Sequence, residues 1–578
     1  MISKFSGLFF IVLFLISGIV DLNCQAQTVE NTFCNPLNLN YRFMTELPSR
    51  REAADPVIQL FKGKYYLFAS KSGGYWFSNN LLNWKYRPST TLPVEEYAPT
   101  VAEINDTIFF VSSNNVKCTI FYTTNPLDDN WKIYNNHFSL GVTDPAIFKD
   151  DDNRVYLYYG CSNVDPIYGI ELNGKKQLDT IGKPVFCIGH NRETYGWEEN
   201  GELNDNVLEK GWNEGAWMIK HDGKYYLEYA SPGTQFKNYG DGVYVSDKPL
   251  GPFKYMENSP FAYKPGGFIG GTGHSCTFAD KYGNYWHVTT MTISVRHMFE
   301  RRLGLFPAAF DEDGVLRTFM AFGDYPIRIP DHKIDYSKES MDPEWMLLSY
   351  NKPAKASSTA DGFQVKNAFD ENIRTWWSAK TGNRNEWISV DLGNSYTVNS
   401  IQVNFADEGF NRTNLDGEIF YQYKLFASEN EKDWVLIEDK SKNQTDAPHD
   451  FIILNKPVKA RYVKITNEKA VQGNFSISGF RIFGKGDGVQ PQVAENLSVI
   501  RDKTDGRKAK VSWSKVLNAT GYVVNYGTER NKLYTSVIVY GSDFLQLTGL
   551  NKNSAYYFSM DTFNENGIVK GTEVKGPY

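Results

Sequence analysis

The 578-residue chain is expected to be all-β: a five-bladed β-propeller followed by two β-sandwich domains. Aromatic residues make up 15 % of it, with 36 Tyr, 38 Phe and 13 Trp, and such residues favour pleated, half-buried strands. Long stretches with helical spacing are few. Within the first 330 residues five segments open alike: DPVIQLFKGKYYLFAS at 55, APTVAEINDTIFFVSS at 98, DPAIFKDDDNRVYLYYG at 144, EGAWMIKHDGKYYLEYAS at 214 and HSCTFADKYGNYWHVTT at 274. Each reads as an apolar strand, a polar or glycine turn and an aromatic strand.

The chain begins with MISKFSGLFFIVLFLISGIV, one lysine and then an apolar core, followed by Cys24-Gln25-Ala26. That pattern predicts an export signal over 1–26 and a periplasmic or extracellular protein. Lipid anchoring through Cys24 is the lesser alternative, because Asp21-Leu22-Asn23 departs from a lipobox. No later stretch has the ~20 apolar residues that a membrane helix needs. The net charge is -6, from 61 basic and 67 acidic residues, with no basic run interleaved with aromatics, so nucleic acid is not an expected partner. Six cysteines without CxxC spacing predict neither a disulfide framework nor a zinc site.

The repeats occupy residues 30–335. Most are followed by a third strand, as in GGYWFS, CTIFYTT, DPIYGIEL and DGVYVS, and then by an aromatic near a fourth. Four antiparallel strands repeated five times make a propeller. The innermost strand of each blade lies nearest the axis, so the residues opening these strands converge: Asp55, Ala98, Asp144, Glu214 and His274. Three carboxylates and an imidazole are thereby expected in one depression. Separated carboxyls suit glycoside hydrolysis, in which one acid protonates the leaving oxygen while a carboxylate activates water. A third carboxylate can keep the acid protonated by like-charge repulsion. The acidic runs KDDDN at 149–153 and DEDG at 311–314 read as hairpin turns, not calcium loops.

The motifs AADPVI, TDPAIF and EGAW resemble the three acidic signatures of glycoside hydrolase family 43, whose members are five-bladed propellers that invert configuration. The resemblance implies Asp55 as general base, Glu214 as general acid and Asp144 as the residue that raises the acid's pKa and orients it. It also implies that His274, in GGTGHSC, sits beneath the sugar and contacts a central ion or water, calcium being the ion expected. Arg302, in FERRLGLFP, resembles an arginine that binds sugar hydroxyls, while Trp76 and Tyr97 are candidate aromatic faces for the ring. An α-L-arabinofuranosidase is the first expectation, with exo-β-galactanase or β-xylosidase as alternatives and a non-catalytic carbohydrate-binding propeller as the rival from another class.

Residues 345–485 change to alternating strands such as EWISVDLG, ARYVKIT and FRIFG, the pattern of a β-sandwich. NKPAKASS, AFDENIRTWWSA, EWISVDLG and GFRIFG resemble the discoidin, or coagulation-factor five/eight type C, domain shared with carbohydrate-binding module family 32, which implies a possible glycan ligand held by its loops. After the linker GKGDGVQPQ, residues 492–578 resemble a fibronectin type III domain, with Trp513 early and a leucine-containing turn before a tyrosine strand.

Overall fold

A computed structural model describes residues 31–44, 46–94, 97–411 and 419–578. The export signal expected over 1–26 lies outside the described residues. Five four-stranded antiparallel sheets follow one another in chain order. The first runs through Val57–Phe61, Lys64–Phe68, Gly74–Ser78 and Lys85–Pro88, and the fifth through Ser275–Ala279, Tyr285–Thr292, Arg301–Phe310 and Leu316–Thr318. Only the fourth carries an extra strand, Ala262–Tyr263, beside Gly240–Ser246. The tight hairpins follow from their turn residues: Gly63 and Gly223 adopt φ of 77°, which only glycine enters without cost.

The blades are held face to face by apolar side chains. One cluster joins the first, second and fifth blades through Phe68, Phe110, Trp131 and Trp286, and further clusters bridge the remaining neighbours. The ring ends are linked by Thr32–Cys34 pairing antiparallel with Pro326–Arg328. The acidic runs are turns as expected: 150–154 joins Ala146–Lys149 to Val155–Tyr159, and 311–315 joins Arg301–Phe310 to Leu316–Thr318.

The second domain is built around two long strands, Trp387–Phe405 and His449–Lys469, with register shifts after Asp391 and Val398 where the strands bend. Its core includes Trp377, Ile388, Val403 and Phe480. The third is a sandwich of three strands, Ser498–Arg501, Ala509–Ser512 and Phe544–Leu547, and four, Thr535–Tyr540, Gly521–Gly527, Tyr557–Asn564 and Gly567–Val569. Both sandwiches pack on the propeller. Cys34, Tyr325, Phe483, Ile538 and Phe563 form one apolar cluster drawn from all three. Arg51 binds Asp407 at 2.8 Å, and Lys532 binds Asp311 at 3.1 Å. All five described cysteines are free, so burial and these contacts hold the chain together.

Candidate active site

The innermost strands are entered through residues in the left-handed backbone region: Asp55 at φ 54°, Ala98 at 49°, Asp144 at 47° and His274 at 53°. Asp and His tolerate this region better than most side chains. In the fourth blade the residue in that conformation is Gly215, at 63°, so Glu214 stands one residue earlier than its counterparts and the expected common position of the three acids is corrected. The cause is steric, because a Cβ at position 215 would lie 2.7 Å from His274 Cγ. Only glycine fits there, and the carboxyl is supplied by the preceding residue.

The side chains nevertheless meet. His274 Nδ1 lies 3.3 Å from Asp55 Oδ1 and 3.6 Å from Asp144 Oδ2. Asp144 Oδ2 accepts the Gly215 N–H at 3.2 Å, which ties this carboxyl to the peptide next to Glu214. Glu214 Oε1 accepts the Tyr239 hydroxyl at 2.6 Å, and Oε2 accepts the Cys161 thiol at 3.0 Å. On the far side, Asp55 Oδ2 accepts the Ser70 hydroxyl at 2.5 Å, Thr290 takes the Asp55 N–H at 2.8 Å, and Arg301 Nη1 stands 3.5 Å from Oδ1. Below the imidazole, Asp241 Oδ1 accepts the His274 N–H at 3.1 Å, while its Oδ2 is 3.1 Å from His287 Nε2.

This order of groups separates the carboxyls electrostatically. Burial by itself would push Asp55 up, but the Arg301 and His274 charges and the Ser70 and Thr290 hydrogen bonds hold it below the usual carboxylate value. Asp144 is pushed up to about 7, because burial, joined by the charges of Glu214 and Asp55, outweighs the opposing charge of His274 and the Gly215 N–H. Burial alone would lower His274, yet Asp55, Asp144 and Glu214 raise it, favouring the imidazolium. One carboxyl poised to be ionised and another poised to keep a proton are what acid–base chemistry at neutral pH requires.

Residues 49–316, which include all of these groups, match the model for glycosyl hydrolases family 43. The propeller is a glycosyl hydrolases family 43 domain, and the protein is a glycoside hydrolase. Residues 353–480 match the F5/8 type C domain. The chain is 24 % identical over 276 residues to the Beta-D-galactofuranosidase xynD of Aspergillus niger, covering 41 % of this chain and 72 % of that protein. It is 22 % identical over 263 residues to a Xylosidase/arabinosidase of Bacteroides ovatus, covering 35 % and 76 %. It is 29 % identical over 181 residues to an Arabinoxylan arabinofuranohydrolase of Paenibacillus polymyxa, covering 28 % and 25 %. A solved structure described as Glycoside hydrolase superposes with a TM-score of 0.44 at 20 % identity, covering 75 % of this chain and 97 % of that one.

Within this family 43 domain two of the expected substrate contacts lie elsewhere. Trp76 is 1 % exposed, packs against Tyr86 and donates its indole N–H to Asn40 Oδ1, so it serves the core of the first blade. Arg302 is also buried, and its guanidinium donates to His449 Nε2 and to the backbone oxygens of Arg51 and Arg301, facing the second domain. The arginine at the site is its neighbour Arg301, which donates to Glu52 and Thr234 and approaches Asp55. Successive strand residues point to opposite faces, so a one-residue misassignment exchanges a pocket residue for an interface residue. Tyr97 is half-buried, with its ring 5.7 Å from the Arg301 guanidinium carbon and 5.3 Å from the Phe299 ring.

The donor set at His274 does not fit a calcium ion held directly by the protein. Calcium takes six to eight oxygen ligands, whereas His274 offers nitrogen and turns Nδ1 toward two carboxylate oxygens, the place for a proton. Tyr239, Cys161, Arg301 and Ser70 were not anticipated from the sequence. For Arg301 the alternation of RRLGLF held the signal; Cys161 and Tyr239 lie beyond their strands' apolar runs and carried none.

Proposed function

We propose that the protein is an exported, inverting glycoside hydrolase that releases L-arabinofuranose from plant polysaccharide. The observation that carries this reading is the gathering of Asp55 and Asp144 on one imidazole, with Glu214 beside Asp144. Asp55, held ionised by Arg301, acts as the base that takes a proton from the attacking water. Glu214, half-buried, protonates the departing oxygen, drawing on the proton that Asp144 holds near neutral pH. His274 and Arg301 compensate the carboxylates and keep them in place. With Asp55 acting as a base on water and not as a nucleophile on the sugar, water attacks the anomeric carbon directly and the configuration inverts.

Relatives named for arabinofuranose and galactofuranose release support a five-membered sugar ring. The relatives named Xylosidase/arabinosidase favour a second reading, β-xylosidase; exo-β-galactanase remains the third. The apolar stretch in residues 1–26 supports export. The F5/8 type C domain is read as a glycan-binding module, and the three-plus-four strand sandwich as a fibronectin type III-like spacer. The test uses nitrophenyl α-L-arabinofuranoside, β-D-xyloside, β-D-galactofuranoside and β-D-galactopyranoside, with proton NMR of the first product. Release of β-L-arabinofuranose from the first substrate is expected. Turnover of another substrate alone reassigns the sugar, retention of configuration overturns the role of Asp55 as a base on water, and no turnover favours a binding propeller.

A further inference from the structure

The three groups on the acid side of the pocket are a thiol and two carboxyls. Asp144, Cys161 and Glu214 each offer a ligand atom, and these atoms lie within 4.8 Å of one another. Cys161 Sγ and Glu214 Oε2 are already 3.0 Å apart, and both residues are half-buried. We propose that this cluster is an inhibitory site for zinc, in which the ion displaces the Cys161 thiol proton and ties up the carboxyl that would protonate the leaving group.

Ligand chemistry selects the metal. Zinc takes four ligands at about 2.3 Å from sulfur and 2.0–2.2 Å from carboxylate oxygen, which places ligand atoms about 3.6 Å apart in a tetrahedron. The cluster therefore needs side-chain shifts of no more than about 1 Å, within reach of small χ rotations. Three protein ligands leave the fourth corner to water, and the thiolate disfavours calcium and magnesium, which prefer an all-oxygen shell. On binding, the Cys161 S–H bond and the O–H bond of protonated Asp144 break, both protons pass to solvent, and S–Zn and O–Zn bonds form; no oxidant or reductant takes part. The Tyr239 hydroxyl, 2.6 Å from Glu214 Oε1, remains to hold the other carboxyl oxygen. The inference rests on the proposed role of Glu214 for its effect on rate, but not for binding.

The experiment therefore reads binding and rate separately on the full chain. Zinc is titrated calorimetrically, and cobalt(II) serves as an optical probe because a thiolate ligand adds a charge-transfer band. Expected are one ion per chain, a cobalt–thiolate band, and loss of turnover that a chelator restores. Cys161→Ser keeps a hydroxyl donor but loses the soft ligand. It should abolish the band and weaken zinc at least about tenfold, since even groups that only orient a ligand are worth that much. Inhibition is expressed against the variant's own zinc-free rate, and matching melting curves establish that it is folded. A missing band, or equal zinc affinity in Cys161→Ser, overturns the proposal. Zinc bound through the thiolate with turnover unchanged overturns the inhibition and, independently, the role given to Glu214.

Discussion

Replacing Asp144 with asparagine should make the protein more stable and nearly inactive, and more stable by an amount that grows with pH. In the folded chain Asp144 is 7 % exposed and its carboxyl is pushed up to about 7 from an ordinary 3.8. A carboxyl raised on folding binds protons more tightly in the native state, so its contribution is favourable below the ordinary value and is lost as pH rises through 7. The cost of ionising the buried group is therefore small near pH 5 and grows to several kcal/mol by pH 8. Asparagine keeps an acceptor for the Gly215 N–H and cannot ionise. Its stabilisation should therefore be larger at pH 8 than at pH 5 by roughly 2–3 kcal/mol, which a pair of denaturant titrations resolves. Turnover should fall at least about 100-fold, the low end for a group in proton transfer. Equal stabilisation at the two pH values, or destabilisation at pH 8, would refute the placement of a repelled, buried carboxyl at this position.

Glu214→Gln and Asp55→Asn should each lower kcat at least about 100-fold with folding intact; wild-type turnover in either removes that residue from the chemistry. Arg301→Met should move the acid limb of the kcat/KM profile to higher pH by about 1 unit, because the cation that holds Asp55 ionised is gone, whereas Arg302→Met should leave the profile in place and lower stability by about 1.5–3 kcal/mol through lost charged hydrogen bonds to the second domain. An unmoved profile in the first, or a moved one in the second, reverses their assignment. Gly215→Ala should cut kcat about 100-fold, since its Cβ meets His274 Cγ at 2.7 Å and the backbone stands at φ 63°; near-normal turnover would show that the ring has room to move.

The blades were legible because the same physical demand recurs five times: an apolar inner strand, a turn and an aromatic second strand. Repetition also revealed Asp55, Asp144 and His274, whose left-handed turns place them alike around the axis. What repetition could not show was a local departure, and Glu214 is one, displaced because His274 claims the volume a side chain at 215 would need. Arg301 and Arg302 differ only in the face of the strand to which they point, which depends on pairing with Thr292 and Met291, not on the residue type. Trp76 misled for a related reason, as an indole can face a sugar or fill a blade, and Asn40 settles its N–H in the latter. Cys161 and Tyr239 come from loops of two different blades, so their meeting at Glu214 exists only in three dimensions.

The same three-dimensional assembly explains why the site holds one proton. Three carboxyls, Asp55, Asp144 and Glu214, stand against two cations, His274 and Arg301, and Arg301 also serves Glu52 at 2.9 Å. Charge left uncompensated in a buried setting costs several kcal/mol, so at least one carboxyl keeps its proton. Asp144 is the group least able to ionise, lying between two other acids and answered only by the shared imidazole. Asp55 is the most able, reached by a guanidinium, an imidazolium and two hydroxyls, whereas of these cations Asp144 is reached by the imidazole alone. The division into base and proton holder thus follows from which cations each carboxyl can reach, and the fifth blade decides it by supplying both Arg301 and His274.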